Sequence, residues 1–221
     1  MSGVENHYTG AAGERYFAFR SRGFGTAAQQ RHAVKFSGYS RPDAVVLDFG
    51  CGPGGVLAEI PGREKIGVEI NEQSAQLARD RGARVVNSLA AVDDHSVDLC
   101  ISHHALEHLV RPDEALREML RVLKPGARAV LVVPAESPRE RGKDRFRPDD
   151  LHKHLFCWNA QTFGNLATAV GFRVEECTVR AAGESHYLLA LRALPAVHRL
   201  ARGVVAALRD RYEVFCVATA P

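Results

Sequence analysis

With 221 residues, 46% of them hydrophobic, the chain can build one substantial core and one domain, and a 25% charged share excludes disorder along its whole length. A formal net charge of +3 is mild, so composition gives no case for a nucleic-acid partner. Five scattered cysteines without a C-x-x-C pair exclude a disulfide framework, and no apolar run approaches the length of a bilayer span. "MSGVENHYTG" also lacks the charged start and apolar core of a signal peptide, so the expectation is a cytoplasmic protein with no membrane partner.

Residues 1–43 are polar, with "YFAF" (16–19) and a helically spaced "GTAAQQRHAVKF" (25–36), and are expected to form an N-terminal helical extension or lid. The main domain is expected over 44–221. "AVVLDF" (44–49) is a continuous apolar run ending at glycines, as in a parallel strand buried on both faces. "GGVLAEI" starts a helix and "KIGVEI" (65–70) is a second strand. "NEQSAQLARDRG" (71–82) is a helix with Gln73, Leu77 and Arg81 on one line and a stop at Gly82. "ARVVNS" and "VDLCIS" (97–102) are strands three and four. "PDEALREMLRVLKPG" (112–126) reads as a helix with Leu116, Met119, Leu120 and Leu123 on one stripe and a Pro-Gly stop, followed by strand "RAVLVV" (128–133). Five strands alternating with helices predict an open α/β sheet, because parallel neighbours need crossover connections. After a charged loop (134–153) come the helix "NAQTFGNLATAVGF", the strand "RVEECTV", the helix "LPAVHRLARGVVAALRD" and the strand "YEVFCVATA", the last expected at a sheet edge.

The turn "VVLDFGCGPGGVLAEI" (45–60) carries two overlapping glycine patterns. Gly50, Gly52 and Gly55 fit the G-x-G-x-x-G of a dinucleotide site, while Gly50, Gly52 and Gly54 fit the G-x-G-x-G of a methyl-donor site. Glu69 after strand two suits a ribose diol in either ligand. Asp48 separates the two: a carboxylate beside the turn repels a pyrophosphate and attracts a ligand end carrying an ammonium and a sulfonium.

"VLDFGCGPGG", "IGVEI", "VDLCISHHALEHL" and "RVLKPGARAVLVVP", in this order and spacing, resemble the motifs of class I S-adenosylmethionine-dependent methyltransferases, and most closely their small-molecule, type 11-like branch. The resemblance implies a Rossmann-like three-layer αβα sandwich with a seven-stranded, mostly parallel sheet and an antiparallel last strand. It implies S-adenosylmethionine as cofactor and S-adenosylhomocysteine as product. Asp48, Gly50, Cys51, Gly52 and Gly54 would lie at the methionine portion, Glu69 at the ribose and Ile70 on adenine. Ser88 and Leu89 would reach the adenine edge, although Leu89 stands where that family often has an Asp. Ile101 and Ser102 would offer carbonyls to the donor's ammonium.

An acceptor that arrives protonated needs a base, and His103 and His104 at the end of strand four are the candidates, His103 standing nearer the strand end. His108 in "LEHL" reads as structural. His152 and His154 form an H-x-H without an acidic partner at convincing spacing, so no metal site is expected. The cationic stretch at 139–147 is either a solvated loop or a lid favouring an acidic acceptor; Tyr8, Tyr16, Phe17 and Phe19 are either a lid or packing. Trp158 is expected to anchor the following helix. The expected activity is methyl transfer to O or N of a small-molecule acceptor. The rivals are a nicotinamide-dependent oxidoreductase, an aminopropyl-transferase-like enzyme and a non-catalytic S-adenosylmethionine-binding protein.

Overall fold

The computed structural model describes residues 5–21, 29, 32–136, 146, 148, 150, 152–182, 194, 197, 200–201, 203–205 and 212–221. Seven strands form one sheet: β1 (Val45–Phe49), β2 (Glu64–Val68), β3 (Arg84–Val86), β4 (Val97–His103), β5 (Leu123–Pro134), β6 (Arg173–Ala181) and β7 (Tyr212–Thr219). Their order is β3-β2-β1-β4-β5-β7-β6, with β7 antiparallel to both neighbours and the other pairings parallel. The strand run reverses between β1 and β4, which opens a crevice at the carboxyl ends of those strands.

Alternation along the central strands explains the three layers. Leu47, Cys100, Leu131, Val133 and Cys216 point into one core, whereas Val46, Ile101, Val130, Val132 and Phe215 point into another on the opposite face. Each strand is therefore apolar on both sides, and each fully buried large side chain contributes about 1.5–3 kcal/mol.

The helices are α1 (Glu5–Tyr8), α2 (Gly10–Ser21), α3 (Gly55–Ala58), α4 (Glu72–Asp80), α5 (Pro112–Val122) and α6 (Ala160–Val170). Asn71 does two jobs at the start of α4. Its Oδ1 accepts from the Ser74 backbone at 3.0 Å, and its Nδ2 donates to the carbonyls of Tyr8 and Gly13 at 3.0 and 3.1 Å. One buried amide thus caps a helix and ties the N-terminal helices to the domain. The buried face of α4 is Ser74, Ala75 and Ala78, with Gln73 and Arg81 exposed, so the predicted fourfold line is not its core stripe. In α6, Asn159 and Thr162 form a reciprocal capping box.

Two boundaries differ from the sequence expectation. α5 stops at Val122, and β5 starts at Leu123, running through the Pro-Gly pair. Lys124, the residue before Pro125, is disfavoured in the helical region; the chain is already extended at Leu123, which pairs with Val97, and the Lys124 ammonium holds Asp98 at 2.9 Å. The last strand is not at an edge: β7 lies between β5 and β6, and β6 forms the edge. Residues 213–219 are buried, as an interior strand requires, whereas β6 carries Arg173, Glu175, Glu176 and Arg180, charges that suit a rim. Trp158 packs against Phe163 of α6 with ring centroids 5.3 Å apart. The 139–145 stretch, Arg147, half of the expected 25–36 helix and most of the expected 194–210 helix lie outside the described residues.

Candidate active site

A cavity of about 1410 Å³ lies across the carboxyl ends of β1, β2 and β4, with Tyr8, Tyr16 and Phe17 from the N-terminal helices also in its wall. One end is built from the glycine turn. Gly50 and Gly54 adopt φ of +76° and +74°, and a Cβ on Gly50 would collide with the Cβ of Ala105. On Gly54 it would fall 2.8 Å from the Cβ of Ala78. Glycine is therefore required by conformation and by space. At Gly55 the room is taken by the Gln29 carboxamide, which a side chain there would strike.

Glu69 closes this turn. Its Oε2 accepts from the Gly52 backbone at 2.9 Å and its Oε1 from the Asn71 backbone at 2.8 Å. Burial raises the Glu69 pKa, while those backbone donors oppose the rise. Each carboxylate oxygen retains a second lone pair for a ligand hydroxyl. Beneath the turn, Asp48 is 3% exposed, and its Oδ1 has no hydrogen-bond partner among the described residues. Burial pushes its pKa up to about 7, with the Glu69 charge adding to the effect.

The remaining predicted donor residues divide into those at the cavity and those inside the sheet. Cys51 lines the cavity and is buried, and burial pushes its thiol pKa up, away from reactivity. Ile70 lines it and is 41% exposed, unusual for an isoleucine and consistent with a face awaiting cover. Ser88 is exposed at its rim, with Oγ accepting from the Ala90 backbone at 3.2 Å. Leu89 borders the cavity but is 4% exposed and belongs to the core. Ile101 and Ser102 are fully buried between β1 and β5 and do not line the cavity. The Ser102 hydroxyl is spent on the Phe49 carbonyl at 3.1 Å. The strand-end residues that do reach the cavity are His103 and His104.

The other end of the cavity is assembled from distant segments. Lys35 donates to Glu213 at 2.6 Å and to His103 Nε2 at 3.1 Å. Because an ammonium only donates, His103 Nε2 must accept here, so the nitrogen that a base would use is engaged. His104 adopts φ +55°, rare for a residue with a side chain, and lies between two carboxylates. Its Nδ1 is 3.4 Å from Glu107 and its Nε2 3.7 Å from Glu213. Burial alone would lower the His104 pKa, but these two carboxylates outweigh it and leave it raised. Burial alone would raise Glu213, yet His104 and Lys35 hold it down at about 2.

Glu107 is fully buried, and neither of its carboxylate oxygens has a hydrogen-bond partner among the described residues. Around its Oε1 stand His104 Nδ1 at 3.4 Å, His108 Nε2 at 3.8 Å and His154 Nε2 at 4.0 Å. The Tyr8 hydroxyl binds His108 Nδ1 at 2.8 Å. Burial drives the His108 pKa down to about 4. Lys153 takes φ +50° between His152 and His154, so left-handed residues occur on both sides of this histidine cluster. Lys35, Glu107 and Glu213 were not among the sequence-predicted site residues. Lys35 and Glu213 are separated by 178 positions, and no local pattern links them.

Comparison with known proteins agrees with the fold and with the motif order. A family model described as a methyltransferase domain matches residues 47–131. An uncharacterized methyltransferase of Mycobacterium sp. (strain KMS) is 41% identical over 93 residues, 39% of this chain and 37% of that protein. An uncharacterized protein of a Streptomyces fradiae transposon is 33% identical over 109 residues, 43% of this chain and 31% of that protein. The chain thus spans well under half the length of these curated relatives. Among solved structures, a SAM-dependent methyltransferase from Archaeoglobus fulgidus superposes with a TM-score of 0.66 at 22% identity, covering 92% of this chain and 99% of that one. Residues 47–131 thus match a methyltransferase domain, and the seven-stranded sheet shares its fold with solved methyltransferases.

Proposed function

We propose that the chain binds S-adenosylmethionine at the glycine turn and transfers its methyl group to an oxygen or nitrogen of a small-molecule acceptor held at the histidine end of the cavity. The observation that carries this reading is Asp48, a buried carboxylate with an unpartnered oxygen beneath a glycine turn. A cationic methionine end would supply the missing partner, and a pyrophosphate would not. Glu69 offers its unused lone pairs to a ribose diol, and Ile70 offers an exposed apolar face to adenine. The cavity exceeds the 300–1,000 Å³ or so of a single small-molecule site, which leaves room for an acceptor beside the donor.

When bound, S-adenosylmethionine supplies an electrophilic methyl group with a neutral thioether as leaving group. The chain's part is then alignment and exclusion of water, with Tyr8, Tyr16 and Phe17 in the wall. Where the acceptor arrives protonated, His104 is the base that the geometry favours over His103. With Nδ1–H directed at Glu107, Nε2 is left to take the acceptor's proton, and Glu107 and Glu213 flank the imidazolium that results. Against the opposing effect of burial, Glu107 and Glu213 raise the His104 pKa above the ordinary histidine value, which makes the imidazole a stronger proton acceptor.

A screen of candidate acceptors for methyl incorporation tests the activity, and His104→Gln tests the base. Turnover should fall by about 10²–10⁴-fold with donor affinity retained. Turnover equal to wild type would remove His104 from the chemistry.

A further inference from the structure

We propose that Glu107, His108 and His154 form a binding site for a divalent transition metal, with an open coordination position facing the cavity. The three side chains each offer one ligand atom, and these atoms lie within 4.8 Å of one another. Glu107 is the decisive member: a fully buried carboxylate with no hydrogen bond at either oxygen among the described residues, with His104 Nδ1, His108 Nε2 and His154 Nε2 3.4, 3.8 and 4.0 Å from its Oε1. Buried charges are found paired or bound to metal, and here the nearest polar groups are imidazole nitrogens, which are metal ligands. The Tyr8 hydroxyl on His108 Nδ1 fixes the ring so that Nε2 faces Glu107, the outer contact that metal-ligating histidines usually have.

Two histidines and one carboxylate are the ligand set of catalytic zinc sites and of open non-haem iron sites. Tetrahedral zinc with bonds near 2.0–2.1 Å needs ligand atoms about 3.4 Å apart, so the side chains would close by about an ångström. The mixed nitrogen and oxygen donors argue for zinc, iron(II) or cobalt(II) over magnesium or calcium, which prefer oxygen. A second cluster, His103, His104 and Glu213, is also compact, but Lys35 already places its ammonium on Glu213 and on His103. All three proposed ligands line the cavity that holds the glycine turn, so a metal there could take an oxygen-bearing acceptor in its open position. That consequence rests on the proposed methyl transfer; the metal site itself does not.

The test is titration of chelator-stripped full-length protein with zinc by competition calorimetry and with cobalt by visible absorption. S-adenosylhomocysteine affinity is measured in parallel, so that failure of the metal site is distinguished from failure of the donor reading. One zinc per chain is expected. His154→Ala, which alters a partly exposed side chain, should weaken zinc binding by at least about 100-fold, and Tyr8→Phe by about tenfold. Glu107→Gln should abolish the cobalt spectrum, while Cys157→Ser, at an exposed thiol, should leave it unchanged. Absence of saturable zinc binding would overturn the proposal. So would zinc affinity that survives His154→Ala or that is lost in His103→Ala instead.

Discussion

The two ends of the cavity are built in opposite ways. The glycine-turn end is made mostly of backbone from one stretch, residues 45–71, with Glu69 tied to Gly52 and Asn71. The histidine end is made of side chains from four separate regions: Tyr8 and Lys35, residues 103–108, His154 and Glu213. A site of the first kind is set by local conformation and tolerates few changes at its glycines. A site of the second kind is held by charge pairing across the fold, and its chemistry can be altered one side chain at a time.

The largest effect that would break this contrast lies in the charge pair. Lys35→Met leaves buried Glu213 with only His104, 3.7 Å away, to offset its charge, and should cost up to about 3–5 kcal/mol in denaturant unfolding, with little change at the glycine turn. A loss under 1 kcal/mol would mean that His104 alone neutralises Glu213.

Asp48 gives the counterpart at the turn, and its sign is opposite. Its folded pKa of about 7 exceeds the ordinary carboxylate value, so its contribution to stability is fully present below about pH 4 and is lost as the pH rises through 7. Asp48→Asn should therefore be more stable than wild type at pH 8, by up to about 4 kcal/mol, with the difference vanishing near pH 4. Ligand-free melting temperatures across that range decide it. A cationic ligand that favours ionised Asp48 should also bind about tenfold more tightly at pH 8 than at pH 6, and this slope should flatten in the variant.

A smaller effect follows from Glu69→Ala. A net loss of about 1.5–3 kcal/mol, the worth of one charge-assisted hydrogen bond, should weaken S-adenosylhomocysteine binding by about 10–100-fold. Part of that loss comes from freeing the Gly52 backbone, so Glu69→Gln, which keeps an acceptor oxygen, should recover some of it. Equal affinity in Ala and Gln variants would mean that the carboxylate's geometry, and not its presence, holds the turn.

The same contrast explains what the sequence made legible. "AVVLDFGCGPGG" announces a buried strand and a tight turn because strand, glycines and Asp48 are neighbours along the chain. All seven strands were legible as elements, the first of them from a continuous apolar run. The position of β7 was misjudged because the short return was weighed above the run "VFCVAT", whose burial on both faces already argued for an interior strand. Ile101 and Ser102 were expected to offer carbonyls to the donor's ammonium; both are fully buried in β4 and neither lines the cavity. At the histidine end, residue types were visible but partners were not. His154 finds its acidic neighbour in Glu107, 47 positions earlier, and Lys35 finds Glu213 almost at the other terminus. Only the folded β4, β5 and β7 bring those groups together.

The central claim is that the glycine turn takes a methyl donor and not a dinucleotide. Calorimetric titration with S-adenosylhomocysteine, and separately with NADH, tests it most directly. The account predicts one S-adenosylhomocysteine bound per chain in the micromolar range and no displacement by NADH. Saturable NADH binding at this turn, with no binding of S-adenosylhomocysteine, would contradict it.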